Sequence, residues 1–181
     1  MDFKIKRAKE EDLPAFFAFF KNALDREFPE YKRKTKEYMP DYGYSLERIR
    51  KGLKTGGWQL FLAFVGKKIV GFLLARIQFG GVAWGEWLAV DNKHQGKGIG
   101  STLLKSWEEQ ALKDGAHQLQ FITFLKESSF YQKRGFVLVG KAPNAYFGVD
   151  NYYFYKNLRK PDEKNFLKNY LKNKKNKLID D

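Results

Sequence analysis

The stretch DNKHQGKGIGSTLLKSWEE, residues 91–109, places glycines at 96, 98 and 100 and then runs straight into an amphipathic helix pattern. Glycine permits positive φ and close approach to the main chain, and a helix start adds unpaired amides and the positive end of a dipole. Such a loop can aim successive N–H groups at one point, which makes it an anion site suited to phosphate. A plain strand-to-helix turn would need one glycine. Lys93, Lys97 and Lys105 lie on or near the loop.

Working outward, three strand-length apolar runs precede it: WQLFLAFV at 58–65, IVGFLLARIQF at 69–79 and VAWGEWLAV at 82–90, divided by turns at Gly66-Lys67-Lys68 and Gly80-Gly81. They read as an antiparallel meander. Upstream, Phe3, Ile5 and Arg7 open an alternating strand. Leu13, Phe16, Phe17, Phe20 and Leu24 then recur at helical spacing behind Glu10-Glu11-Asp12. FPEYKRKTKEYMPDYGYS, 28–45, has no period and reads as a loop, with a short helix LERIRKGLKTG after it.

Downstream, Leu103, Leu104, Trp107 and Ala111 form one helix face, stopped at Asp114-Gly115. HQLQFITFL is a strand, SSFYQKR a short helical piece, and GFVLVGKA and NYYFYKNL are the last strands. The fold class is therefore α/β (α+β): one domain with a mixed, mostly antiparallel sheet of about seven strands flanked by helices. Residues 1–159 are expected to form it. Residues 160–181 make a basic tail in which Phe166, Leu167, Tyr170 and Leu171 suit a short docked helix or a frayed end.

Composition bounds the function. With 34 Lys+Arg against 21 Asp+Glu, the net charge is +13, which suits an anionic partner or a solubilising coat. The absence of cysteine excludes disulfides, thiolate metal sites and cysteine nucleophiles. No apolar run approaches the roughly 18 residues of a membrane helix, so a soluble, cytoplasmic protein is expected.

Two phosphate-loop patterns fail. No glycine here leads by four residues into Gly-Lys-Ser/Thr, and the third glycine comes one place early for Gly-x-Gly-x-x-Gly. Gln95-x-x-Gly98-x-Gly100 after the strand WLAV instead resembles the GCN5-related N-acetyltransferase (GNAT) superfamily, as does Tyr131 followed by Gly135-Phe136. The resemblance runs from Phe3 to about Leu158 and implies the GNAT fold.

It further implies acetyl-coenzyme A as cosubstrate, without a metal, and transfer of the acetyl group to a primary amine by direct attack in a ternary complex. Leu88, Ala89 and Val90 would border the pantetheine arm where the fourth strand splays from the fifth. Gln95, Gly96, Lys97, Gly98, Ile99, Gly100 and Ser101 would hold the pyrophosphate, and Tyr131 falls where the departing thiolate is often protonated. The family's asparagine seven residues before this tyrosine is Phe124 here, and Ser128 and Ser129 are the nearby polar residues.

Amine attack also needs a base. Glu86 lies on the strand leading to the loop, and by alternation shares a face with Trp84, Leu88 and Val90. The competing reading has it exposed or paired with a lysine; Asp91, His94 or a water chain are alternatives. His94 and His117 are expected to face solvent. The acceptor, a small-molecule amine or a peptide or protein amine, would meet 28–45 and APNAYFGVDNYY, 142–153. The chain is expected to act as a monomer or homodimer, without membrane or nucleic-acid partners. The alternative is a non-catalytic basic domain of the same fold that binds nucleic acid or another polyanion.

Overall fold

A computed structural model describes residues 2–168 together with 171 and 172. Its element order is β1 (Lys4–Arg7), α1 (Leu13–Glu27), α2 (Arg33–Tyr38), α3 (Leu46–Lys54), β2 (Trp58–Val65), β3 (Lys68–Phe79), β4 (Val82–Val90), α4 (Ile99–Lys113), β5 (Gln118–Thr123), α5 (Ser128–Gln132), β6 (Val137–Ala142), β7 (Asn151–Asn157) and α6 (Glu163–Phe166). The strands form one sheet in the order β1-β2-β3-β4-β5-β7-β6. Only β4 and β5 run parallel. A mostly antiparallel sheet with helices on both faces is the class that the sequence pattern predicts.

Alternation along β2 explains the two-sided core. Leu60 and Leu62 pack toward α1, whose Leu13, Phe16, Phe20 and Leu24 are buried. Phe61 and Ala63 pack toward α4, against Leu103, Leu104 and Trp107. A strand covered on both faces reads as a continuous apolar run, which is what WQLFLAFV is.

The segment 28–45 departs from the loop reading. It holds α2 and then a wide helical turn over Met39–Gly43, with Met39 and Pro40 buried. Two turns of charged residues show no apolar period because α2 itself buries no residue. Arg33 and Glu37 pair along it at 2.8 Å, and Met39 anchors it in the α1-side core.

Two irregularities in β4 shape the centre. Leu74 pairs with Trp87 and Ala75 with Gly85, so Glu86 is the extra residue of a β-bulge. The parallel ladder to β5 covers only Val82–Gly85, opposite Gln118–Phe121. Beyond Gly85 the two strands separate and leave a cleft.

The start of the tail docks. The Phe166 carbonyl accepts from Gln78 Nε2 at 3.0 Å, and the Asn165 carbonyl closes on Gly115, where no side chain would fit. Tyr170 lies outside the described residues. Among those residues no helix is long and apolar enough to cross a membrane.

Candidate active site

The glycine loop is built from the end of β4. Asp91 Oδ1 accepts from Lys93 N at 3.1 Å and sets a tight turn over Asn92–His94. Gly96 and Gly98 follow with φ of 72° and 84°, and Gly98 is the N-cap of α4. A side chain at either position would meet nothing within 4 Å. Glycine is needed there for the left-handed backbone, and the space in front stays open. Gly100 differs: a Cβ there would stand 3.1 Å from the Phe130 ring, so its hydrogen side chain is explained by packing within the protein. The amides of the first turn of α4 have no intrahelical acceptor and face outward as donors.

These amides border a cavity of about 600 Å³. Leu88, Ala89, Val90, Gln95, Gly96, Gly98, Ile99, Gly100 and Ser101 line it, as do Tyr131, Thr123 and Arg134. Lys97 does not: its ammonium turns back to the Lys93 carbonyl at 2.6 Å. Arg134 stacks on Phe130, 3.8 Å from the ring centre, and donates to Ser101 Oγ at 2.5 Å. Gln95 Nε2 donates to the Val90 carbonyl and to Glu27 Oε2, both at 2.9 Å. Its side chain thus pins the loop to β4 and to the end of α1. The wall formed by Arg26 to Pro29 carries no sequence signal; only folding brings it to the cavity.

Tyr131 is buried at the cavity's inner end among Phe121 (4.4 Å between ring centres), Phe130 (5.0 Å) and Phe154 (5.9 Å). Burial pushes its phenol well above the ordinary tyrosine value, and the Glu127 charge acts in the same direction. Thr123 and Arg134 oppose them without cancelling the rise. The hydroxyl therefore keeps its proton throughout the neutral range.

Glu86 is placed differently from the alternation reading. The bulge breaks the two-residue period: Ala83, Leu88 and Val90 pack on the α4 side, whereas Trp87 and Ala89 pack on the α1 side. Glu86 reaches Tyr44, which also packs on the α1-side core. It therefore does not share the face of Leu88 and Val90. Its side chain is 6% exposed, paired with Arg76 rather than a lysine, and accepts from Tyr44 Oη at 2.7 Å.

Neither histidine faces solvent as expected. His94 lines the cavity, its side chain 14% exposed and Nδ1 3.7 Å from Asp91 Oδ2. His117 lies against the Phe166 ring, brought there by the docked tail. Phe124 is buried against Phe28 and Tyr31, while Ser128 and Ser129 do not line the cavity. The segments 28–45 and 142–153 do meet, with Phe147 set 5.8 Å from Tyr31 and 6.1 Å from Tyr38. Among the described residues no cluster of His, Asp and Glu is arranged to hold a metal.

Comparison with known proteins agrees with this architecture. The acetyltransferase (GNAT) domain model matches residues 56–138, from just before β2 into β6. No match is found among curated proteins. Among solved structures, the chain is similar to PaiA N-acetyltransferase from Thermoplasma acidophilum in complex with coenzyme A, at 22% identity and a TM-score of 0.73 over 87% of this chain and 99% of that one. It is similar to a GNAT-family acetyltransferase from Staphylococcus aureus Mu50 at 21% identity and a TM-score of 0.70, over 87% and 100%. The ribosomal-protein-S18-alanine N-acetyltransferase of Escherichia coli aligns at 18% identity and a TM-score of 0.68, over 90% and 97%.

Proposed function

Because this chain carries an acetyltransferase (GNAT) domain on the GNAT fold, we propose that it transfers an acetyl group from acetyl-coenzyme A to a primary amine by direct attack in a ternary complex. The observation that carries this reading is the cavity itself. A left-handed glycine turn and the first amides of α4 open onto a space of about 600 Å³ beside the split between β4 and β5.

The residues fit an acyl-coenzyme A. Gln95–Ser101 would receive the pyrophosphate on main-chain amides, with Arg134, which shares the wall with Arg26 and Lys126, as the cation held against Ser101; Lys97 would reach it only by leaving the Lys93 carbonyl. Leu88, Ala89 and Val90 would run beside the pantetheine arm. Leu88 is the better backbone partner, since the Val90 carbonyl already accepts from Gln95. When bound, acetyl-coenzyme A supplies a thioester carbonyl for the amine to attack and a thiolate to leave.

Tyr131 would hold the proton that the thiolate takes up; its raised pKa keeps that proton available at neutral pH. Glu86 would serve the amine. An alkylammonium of pKa about 10.4 is neutral in only about one molecule in 2,500 at pH 7, so a proton acceptor matters. Tyr44 and Arg76 would fix the Glu86 carboxylate at the bulge, with a water chain as the alternative route for the proton.

The test is calorimetric titration of coenzyme A, followed by an amine screen that reads free thiol released from acetyl-coenzyme A. Saturable binding and amine-dependent thiol release are expected. No binding of coenzyme A would overturn the proposal.

A further inference from the structure

We infer, on the basis of the acyl transfer proposed above, that Glu27 is a positioning residue for coenzyme A: its carboxylate holds the glycine loop in the shape that receives the pyrophosphate. Glu27 is the last residue of α1, far from the loop in sequence. Its Oε1 accepts from Asn92 N at 3.3 Å, and its Oε2 accepts from Gln95 Nε2 at 2.9 Å. One carboxylate thus ties both ends of the tight turn that leads into Gly96 and Gly98.

Charge alone would keep a carboxylate away from this place. The end of a helix carries the negative pole of its dipole, so an acid in the last turn is unfavourable there. Glu27 also lines the cavity in which an anion is proposed to bind, and it repels that anion. No cation cancels it: among the described residues Glu27 is in no ion pair, although Arg26 lines the same wall. What the position provides is two acceptor oxygens set against two donors of the loop. An amide of the same length would turn an NH2 group toward one of them.

The loop needs such a hold. Residues 92, 93 and 95 to 98 are exposed, and glycine gives the chain more freedom to lose than any other residue. Bonds within the turn, His94 N to the Asp91 carbonyl at 2.7 Å and Lys93 N to Asp91 Oδ1 at 3.1 Å, fix its shape but not its orientation. Among the described residues, Glu27 is the hydrogen-bond partner of residues 92–97 that comes from outside the segment 90–98. Amides that already point at one place bind an anion without a further ordering cost.

The experiment titrates coenzyme A by calorimetry into the wild type, Glu27→Gln and Glu27→Asp, with urea unfolding of each protein alongside. The first variant removes the charge at constant length; the second keeps the charge and draws the oxygens back. Charge alone dictates tighter binding in the first and no change in the second. We expect both to weaken coenzyme A by about fivefold, with urea midpoints close to wild type. In a Gln95→Met background, adding Glu27→Gln should change Kd by about twofold or less, because the two residues act through one bond. Affinity equal to wild type or tighter in either folded variant, or losses that multiply through the Gln95→Met background, would overturn the inference and leave the acetyltransferase reading in place. If the wild type does not bind coenzyme A, both fall.

Discussion

Tyr44 Oη donates to Glu86 Oε2 at 2.7 Å, joining the segment before α3 to the bulge of β4 across 42 positions of chain. Burial raises the Tyr44 phenol far above its ordinary value, and the Glu86 charge adds to the rise, so Tyr44 remains a donor at every working pH. Tyr44→Phe leaves one oxygen of a nearly buried carboxylate without its partner. Chemical unfolding should show a loss of about 1–3 kcal/mol. Turnover should fall with coenzyme A affinity unchanged, and Glu86→Gln should lower it further, by about 10²- to 10⁴-fold. Wild-type turnover in Glu86→Gln would remove Glu86 from the mechanism.

Gly98→Val tests the loop. The position is left-handed, and a Cβ there would meet only open space, so the cost to the fold is backbone strain of about 1–2 kcal/mol. The added isopropyl group would stand in the space where the pyrophosphate is proposed to lie. Calorimetry should find coenzyme A binding abolished in a protein that still melts cooperatively. Unchanged affinity would mean that the phosphates lie elsewhere.

The strand runs, the two amphipathic helices and the glycine loop are legible in the sequence because each repeats a short-range signal: alternation, helical spacing, turn residues. Glu86 can be found but not oriented, since a single inserted residue reverses the alternation that a sequence reader must assume. α2 looks like a loop because its link to the core is Met39, just beyond its end. The placement of Arg26 to Pro29 on the cavity and of His117 against Phe166 depends on contacts between distant segments, for which no local pattern exists.

Salt should weaken coenzyme A binding. Arg134 stands on the cavity wall and Lys93 is exposed on the loop, and partly exposed charges are screened as the Debye length falls from about 10 Å at 0.1 M to about 3 Å at 1 M. Titrations across that range should show a rising Kd, with a shallower slope in Arg134→Gln. Equal affinity at both ends would assign binding to the backbone amides alone.

Alkaline pH should unfold the protein through its tyrosines. Burial, with help from Glu30, pushes Tyr31 up to about 12, and Tyr44 and Tyr131 are raised further. A group whose folded pKa is raised gives stability that is complete below its unfolded value, near 10, and lost as pH climbs toward the folded one. Each such tyrosine should cost about 1 kcal/mol per pH unit above pH 10. Urea midpoints should hold up to pH 9 and drop by pH 11, with the three phenols ionising, by absorbance near 295 nm, only as the fold is lost. Ionisation of all ten tyrosines near pH 10 in the folded protein would contradict this.

Tyr131→Phe separates an acid from a packing ring. The ring lies among Phe121, Phe130 and Phe154, and phenylalanine keeps those contacts. Only the hydroxyl goes, and with it the proton that burial retains. If that proton reaches the leaving thiolate in the limiting step, kcat should fall by about 10²- to 10⁴-fold with coenzyme A affinity nearly unchanged. The loss should be smaller when the leaving thiol is made more acidic, because a better leaving group needs less help. A tyrosine that only packs would leave kcat within about threefold and show its effect in the melting temperature. In that case protonation of the thiolate passes to water entering past Thr123, which lines the same cavity.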